Sequence, residues 1–403
     1  MLNRRDLLRS LATIPVVGPF IGSGIGRNGL SPDIVPGRDY FKEIGVRTFI
    51  NAAGTYTMLT GSLMHPEVIQ AIQYASKQYV SLDELQDAAG ARIAELLHCE
   101  AATVTSGAAS AMSLGMAGVL SGIDPEKAAQ IPDLTGMKSE VIYQKSHWVG
   151  YVHALRNCGV KLIEVETRKQ MEDAINDQTA MLWFLNYSNF DGEVQWKEFV
   201  EIGKKYGIPT FNDCAADVPP VENLWKFTAM GFDLVCFSGG KGLRGPQSAG
   251  LLLGRKDLIA AARLSAPPRG NTVCRTNKVN KEEVLGMLVA LEVYLNRDHK
   301  RDLELWEYQI KKISDNALSV EGVETEIHVP EIANHVPSLR ITWDQEKIPI
   351  TPSSAREILR KGHPSIETMG GNKSIDITTW MMNPGEERIV AERVKHVLKN
   401  ART

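Results

Sequence analysis

From residue 40 to about residue 298, short β-rich runs alternate with longer segments whose apolar residues recur at helix spacing, and this alternation restricts the chain to few folds. Seven runs have strand character, at 102–105, 140–143, 160–165, 181–185, 209–212, 234–237 and 250–253. Between them lie helical patterns. In 65–79, Pro66 suits a first helical turn and Val68, Ile69, Ile72 and Tyr79 follow at helical intervals. In 82–97 the stripe runs through Leu85, Ala89, Ile93 and Leu96. Strands joined by helical crossovers pair in parallel, and a parallel sheet must be covered on both faces. The pattern therefore predicts an α/β fold with a large, mostly parallel seven-stranded sheet. It changes after the helix expected over 281–295, which carries Val284, Leu285, Leu288, Leu291 and Leu295. Helices at 303–318, 353–361 and 386–399 are then interleaved with strands at 323–328, 338–343 and 375–379, which predicts a small C-terminal α+β domain. The expected division is 1–30 as signal and linker, 31–298 as the large domain with an N-terminal arm, and 299–403 as the small domain.

Composition narrows the function classes. With 403 residues, 43% hydrophobic and 23% charged, the chain can bury more than one core and is not a disordered tail. Lys and Arg number 45 against 48 Asp and Glu, a net charge of −3, which gives no broad electrostatic footprint for nucleic acid. The five cysteines, Cys99, Cys158, Cys214, Cys236 and Cys274, are widely spaced, odd in number and form no Cys-x-x-Cys pair, so they spell neither a zinc site nor a complete disulfide framework. At the N-terminus, Arg4-Arg5 precede an apolar run at 11–21 broken by Pro15, Gly18 and Pro19. The run is too short and too broken to span a bilayer, so no stable membrane insertion is expected. The paired arginines resemble a twin-arginine export signal, which makes the periplasm the expected address and a cytoplasmic protein with an N-terminal arm the alternative. The Gly24-Ile25-Gly26-Arg27-Asn28-Gly29 run matches a dinucleotide fingerprint, but Pro32 and Pro36 follow where a helix is required, and it reads as linker.

Three loops carry chemistry. Lys241 lies among glycines in Ser238-Gly239-Gly240-Lys241-Gly242, directly after an apolar run. A phosphate-binding P-loop would need Gly at 235 and Ser or Thr at 242, where the chain has Val235 and Gly242. A lone lysine on such a turn is most often simply solvated. This one has company. Asp213 ends an expected strand, at the edge where ligands collect in open parallel sheets. Ser106-Gly107-Ala108 lies between a strand and a helix, where backbone N–H groups can meet a phosphate.

The set resembles fold-type I pyridoxal 5'-phosphate (PLP) enzymes, and more closely the branch holding bacterial selenocysteine synthase and D-glucosaminate-6-phosphate ammonia-lyase. The resemblance covers about 49–292 through Asn51-Ala52-Ala53-Gly54, Leu85-Gln86-Asp87-Ala88-Ala89-Gly90, Thr105-Ser106-Gly107-Ala108-Ala109, Asp213-Cys214-Ala215-Ala216, Ser238-Gly239-Gly240-Lys241 and Lys278-Val279-Asn280-Lys281. It implies that Lys241 forms the Schiff base with PLP and acts as base at Cα, and that Asp213 holds the pyridinium nitrogen with Ala215 beside it. It implies that Ser106, Gly107, Ala108 and Ser238 cradle the phosphate and that His147 stacks on the ring. Arg275 and Lys278 fall on the family's R-x-x-[KR]-V element, which meets an anionic group of the substrate; a solvated basic loop is the plainer reading. Selenocysteine synthases carry an arginine where this chain has Ser62, which becomes a candidate substrate contact, and they have a further tRNA-binding domain, whereas about 40 residues precede the match here. Together with the −3 charge, this makes tRNA an unexpected partner. The expected activity is a PLP-dependent lyase reaction, an elimination with ammonia release, on a small amino acid or amino sugar acid by a homodimer or higher homo-oligomer. The alternatives are a selenium transferase-like reaction, racemisation or transamination, and a non-catalytic protein of the same fold.

Overall fold

The computed structural model describes residues 38–401, so the twin-arginine reading and the 24–29 glycine run lie outside the described residues. Residues 38–48 carry one short helix, Tyr40–Glu43, capped by the Asp39 carboxylate and flanked by an Arg38–Glu43 ion pair of 2.9 Å. From Phe49 onward the chain forms a separate unit built on two main sheets.

Seven strands make the large sheet: β2 Ala101–Thr105, β3 Glu140–Gln144, β4 Lys161–Val165, β5 Thr179–Leu185, β6 Thr210–Asp213, β7 Leu234–Ser238 and β8 Gly250–Gly254. Their order is β2-β8-β7-β6-β5-β3-β4, all parallel except β8, which runs antiparallel to both neighbours. Successive side chains of a strand point to opposite faces, and here the alternation feeds two cores. Leu182 and Phe184 of β5 join Val235 and Phe237 of β7 on one face. Met181 and Trp183 join Leu234 and Cys236 on the other. Helices α1 Pro66–Ala75 and α2 Leu82–Leu97 and, later in the chain, the helix Lys281–Leu295 cover the first face; α3 Ala108–Ser121 and α4 Lys256–Ser265 cover the second.

The helix Lys281–Leu295, α5, opens with a reciprocal cap in which Asn280 accepts from the Glu283 amide and Glu283 accepts from the Asn280 amide. After it come α6 His299–Leu318, β9 Val323–His328, β10 Ser338–Trp343, α7 Pro352–Lys361, β11 Ile366–Glu367, β12 Ile375–Thr378 and α8 Glu386–Asn400. The small sheet, β12-β10-β9, is antiparallel and packs with these helices in a third core. Near the start of the unit, β1 Ile50–Asn51 pairs in parallel with β11. Ile50 and Ala52 thereby join the third core, not the large-sheet cores to which their place in the chain assigns them.

The Leu85–Gly90 motif shows what holds α2 to the sheet. Gln86 is buried and bonds both backbone groups of Val104, donating to its carbonyl at 2.9 Å and accepting from its amide at 3.2 Å. One turn on, Gly90 sits so close to β2 that an added Cβ would lie 2.3 Å from the Ala102 carbonyl oxygen. Gly90→Ala improves intrinsic helix propensity by about 1 kcal/mol, yet it must push helix from strand. We expect a net loss of about 1–3 kcal/mol, read from the urea midpoint; a stabilised variant would contradict this packing.

Candidate active site

Strand register gathers the chemical residues at one edge. Gly250 at the start of β8 pairs with Thr105 on one side and Ser238 on the other, so the loops that follow β2 and β7 emerge side by side. Asp213 pairs with Cys236 of β7 and with Leu185 of β5. The loops at Ser106, Asn186, Asp213 and Ser238 therefore share the carboxyl edge of the sheet, where parallel sheets place ligands.

At the β2 end, Gly107 caps α3 with φ +86°, a backbone conformation that favours glycine. The first intrahelical bond runs from the Ala111 amide to the Gly107 carbonyl, which leaves the amides of Ala108, Ala109 and Ser110 facing out of the helix end. Thr105 Oγ1 donates to the Gly107 carbonyl at 2.9 Å and fixes the loop. Beneath it, Gly250 lies so near that a Cβ there would meet the Gly107 carbon at 2.6 Å. Among the described residues the hydroxyls of Ser106 and Ser238 have no protein partner, so the cradle offers amides and two hydroxyls to an anion.

Asp213 is 4% exposed. Its Oδ1 accepts from the Ala215 amide at 3.1 Å and from the Cys236 thiol at 3.5 Å, and Oδ2 is left for another donor. Burial pushes its carboxyl above the usual range, opposed by the Ala215 amide and by Lys241. Burial also pulls Lys241 below the ordinary lysine range, opposed by Asp213 and Asp217. The shift favours the neutral, nucleophilic form of the amine relative to an ordinary lysine. The Ser62 hydroxyl donates to the Gly240 carbonyl at 3.0 Å, so this candidate substrate contact instead braces the lysine loop. A second carboxylate, Asp217, escaped the sequence reading. It is 2% exposed, accepts from Asn186 Nδ2 at 2.7 Å, and burial raises it to about 7. Asn186 is itself held by the Trp196 indole N–H at 2.8 Å.

Lys241 opens into a cavity of about 360 Å³. Its lining includes Tyr56, Tyr151 and Tyr187, His328, Asp376 and Thr378 of the small sheet, Asn334 of the loop before β10, and Trp380. Behind the lining, His328 Nδ1, Asn334 Oδ1, Asp376 Oδ1 and Thr378 Oγ1 are buried without a hydrogen bond. Asp376 Oδ1 lies 3.5 Å from the Arg340 guanidinium. These groups lie far from Lys241 in sequence. Tyr187, two residues after β5, and His328 and Thr378, the last residues of β9 and β12, are the ones with a strand-end signal.

Three expected site residues lie elsewhere. Contrary to its expected stacking role, His147 is fully buried with its ring edge-on to Phe184 at 4.3 Å. Its Nδ1 accepts from the Leu185 amide at 3.2 Å and the ring also bonds the Ser188 backbone, so it ties β3 to the end of β5 and offers no face to a ligand. Arg275 and Lys278 are exposed and do not line the cavity of their own chain.

Residues 49–331 match the family described as SelA: L-seryl-tRNA selenium transferase. This chain belongs to the L-seryl-tRNA selenium transferase family. Among its relatives is the D-glucosaminate-6-phosphate ammonia lyase of Salmonella typhimurium (strain 14028s / SGSC 2262), 27% identical over 377 residues that span 90% of this chain and 98% of the relative. A solved D-glucosaminate-6-phosphate ammonia-lyase superposes with a TM-score of 0.79 at 25% identity, covering 91% of this chain and all of that one. At 12% identity and a TM-score of 0.56, a serine palmitoyltransferase from S. paucimobilis solved with bound PLP-myriocin shares the fold over 88% of each chain.

For this family member the donor set fits PLP: a free carboxylate oxygen on Asp213 for a ring N–H, an amine on Lys241 for a carbonyl carbon, and the Gly107 helix end for a phosphate. The corrected role of His147 has a measurable consequence. Burial lowers its pKa to about 4 from 6.5, so the folded state resists a proton that the unfolded chain takes up. The stability this gives is complete above pH 6.5 and is lost as pH falls toward 4, by up to about 3 kcal/mol. Half-buried His65 shifts the same way and adds a smaller share. Urea titrations at pH 7 and pH 4.5 should show the loss, and His147→Gln should flatten it; an unchanged slope would put His147 in contact with solvent.

Proposed function

We propose that this protein is a PLP-dependent lyase that releases ammonia from an amino sugar acid. The observation that carries the substrate class is the cavity wall. Around Lys241 the lining carries Tyr151, Tyr187, His328, Asn334, Asp376 and Thr378, all side chains able to hydrogen-bond. A chain of hydroxyls supplies donors and acceptors that such a lining can meet. A small aliphatic amino acid would leave that lining bare. The ammonia-lyase relative, matched over nearly its whole length, supports the same reaction class.

PLP, when bound, withdraws electrons from Cα of the substrate. The protein's part is positioning and proton handling. The amides at the start of α3 and the hydroxyls of Ser106 and Ser238 hold the phosphate. Asp213 Oδ2 accepts the ring N–H and keeps that nitrogen protonated, a charge-assisted bond of roughly 1.5–3 kcal/mol. Lys241 Nζ would take the Cα proton and give it to the β-hydroxyl, which departs as water; the unsaturated amine released then tautomerises to an imine and takes up a water, giving ammonia and the keto acid. The Tyr56, Tyr151 and Tyr187 side chains line the cavity and can contact the substrate. A tRNA-borne substrate suits the site less well, because the Ser62 hydroxyl is spent on the Gly240 carbonyl and the chain has a net charge of −3.

The test is ammonia and keto-acid release across D- and L-amino acids and aminosugar acids, with and without phosphate esters. Turnover should concentrate on the polyhydroxylated acids, and Lys241→Ala should lose both turnover and the borohydride-sensitive visible absorbance of bound PLP. Release from serine or threonine alone would overturn the substrate class, and a colourless wild type that takes up no PLP would overturn the enzyme reading.

We also propose assembly as at least a homodimer and export by the twin-arginine route. Fractionation of cells expressing Arg4→Lys/Arg5→Lys protein should show loss of the periplasmic pool; equal periplasmic content would remove the export reading.

A further inference from the structure

Three residues beyond Lys241, Arg244 holds φ +52°, a left-handed backbone that a side chain other than glycine adopts at a cost. Its Nε donates to the Leu63 carbonyl at 2.8 Å, which turns the half-buried guanidinium toward the loop before α1. No carboxylate among the described residues bonds it. Asp302, within its electrostatic reach, is already bonded to Arg297 Nη2 at 2.7 Å. Arg297 Nη1 in turn meets His65 Nε2 at 3.1 Å. Arg244, Arg297 and the neutral imidazole of His65 thus cluster, and of the two carboxylates acting on His65, Asp302 is engaged by Arg297 and Glu67 bonds neither guanidinium.

A second, independent observation lies beside them on α5 and α6. Tyr294 is 4% exposed, and its hydroxyl has no hydrogen-bond partner although Arg297 is within electrostatic reach. The ring of His299 packs on Tyr294 at 4.7 Å, and its Nε2 is also buried without a partner. The Tyr294 hydroxyl thus lies within reach of Arg297, Asp302 and Glu222 and bonds none of them, and an oxyanion held by the adjoining arginines would give it an acceptor.

We propose that Arg244, Arg297, His65 and Tyr294 form a binding site for a phosphate-type oxyanion behind the lysine loop. The bidentate fork of Arg244 carries the charge, and the Tyr294 hydroxyl and His65 supply further donors. The anion is either free phosphate or the phosphate ester of a substrate. The site stands on these side chains and does not depend on the lyase reading.

The probe is inorganic phosphate added to the PLP-loaded protein, followed by NMR of labelled histidine. His65 faces Arg244, Arg297, Glu67 and Asp302, and with burial the two arginines hold its pKa at about 4. A bound oxyanion offsets them, so phosphate should raise that pKa in a saturable way. Arg244→Gly, which suits the left-handed backbone, should weaken phosphate binding by about tenfold or more. Tyr294→Phe should weaken it too while leaving the phosphate-free Tm unchanged or higher, because it removes an unsatisfied hydroxyl. No His65 response in the wild type, or an equal response in Arg244→Gly, would overturn the site. A lowered phosphate-free Tm in Tyr294→Phe would remove Tyr294 from it. These readouts need no turnover, so they stand or fall apart from the reaction. Phosphate that competes with D-glucosaminate 6-phosphate but not with D-glucosaminate assigns the site to the substrate ester; equal effects on both assign it to free phosphate.

Discussion

The Asp213 carboxylate is 4% exposed and the Lys241 ammonium approaches it from the adjoining strand loop, so neither charge is comfortable there without the other. Desolvation outweighs their attraction on both sides: the acid is pushed up and the amine pulled down. That opposition requires a rigid, dry edge, which the large sheet provides. Asp213 ends β6, Lys241 follows β7, and the pairing of Asp213 with Cys236 sets their spacing within backbone geometry. Around them lie further polar groups held from behind: Ala215 and Cys236 on Asp213, Ser62 on the Gly240 carbonyl, and Trp196 through Asn186 on Asp217. The charge pair is positioned by groups that never reach the cavity.

The two sheets divide the work. The large sheet supplies the cofactor-facing groups because its parallel strands deliver loop after loop to the same edge. The small sheet and the loop before β10 add Asp376, Thr378 and Asn334 to the cavity lining. The loop that carries Asn334 is tied to the Asp213 turn, since the Asn334 amide donates to the Ala216 carbonyl at 2.8 Å. Substrate-facing and cofactor-facing residues are thus linked by backbone, and a change in one wall is felt at the other.

His147 shows how a correct local reading can give a wrong role. A histidine directly after a central strand is in the right region for a ring contact, and strand β3 does end at Gln144. What the position in the chain does not disclose is direction: the ring turns into the core against Phe184. Ser62 is similar, since its hydroxyl could serve a substrate until Gly240 is found to accept it. Arg275 and Lys278 are exposed in the single chain and lie outside the lining of the Lys241 cavity.

The linear pattern by itself determined the alternation of strands and crossovers, the change to a smaller mixed helix-and-strand layer after α5, and the three motifs that carry Lys241, Asp213 and Gly107. These are local properties: periodicity, turn chemistry and strand ends are written within a few residues. The tertiary structure alone decided the antiparallel insertion of β8, the pairing of Ile50 with Ile366, the burial of Asp217, and the meeting of Arg244 with Arg297 and His65. Each of these depends on which surfaces meet across long stretches of chain. Desolvation, the force that sets their chemistry, has no signature in the identity of a single residue.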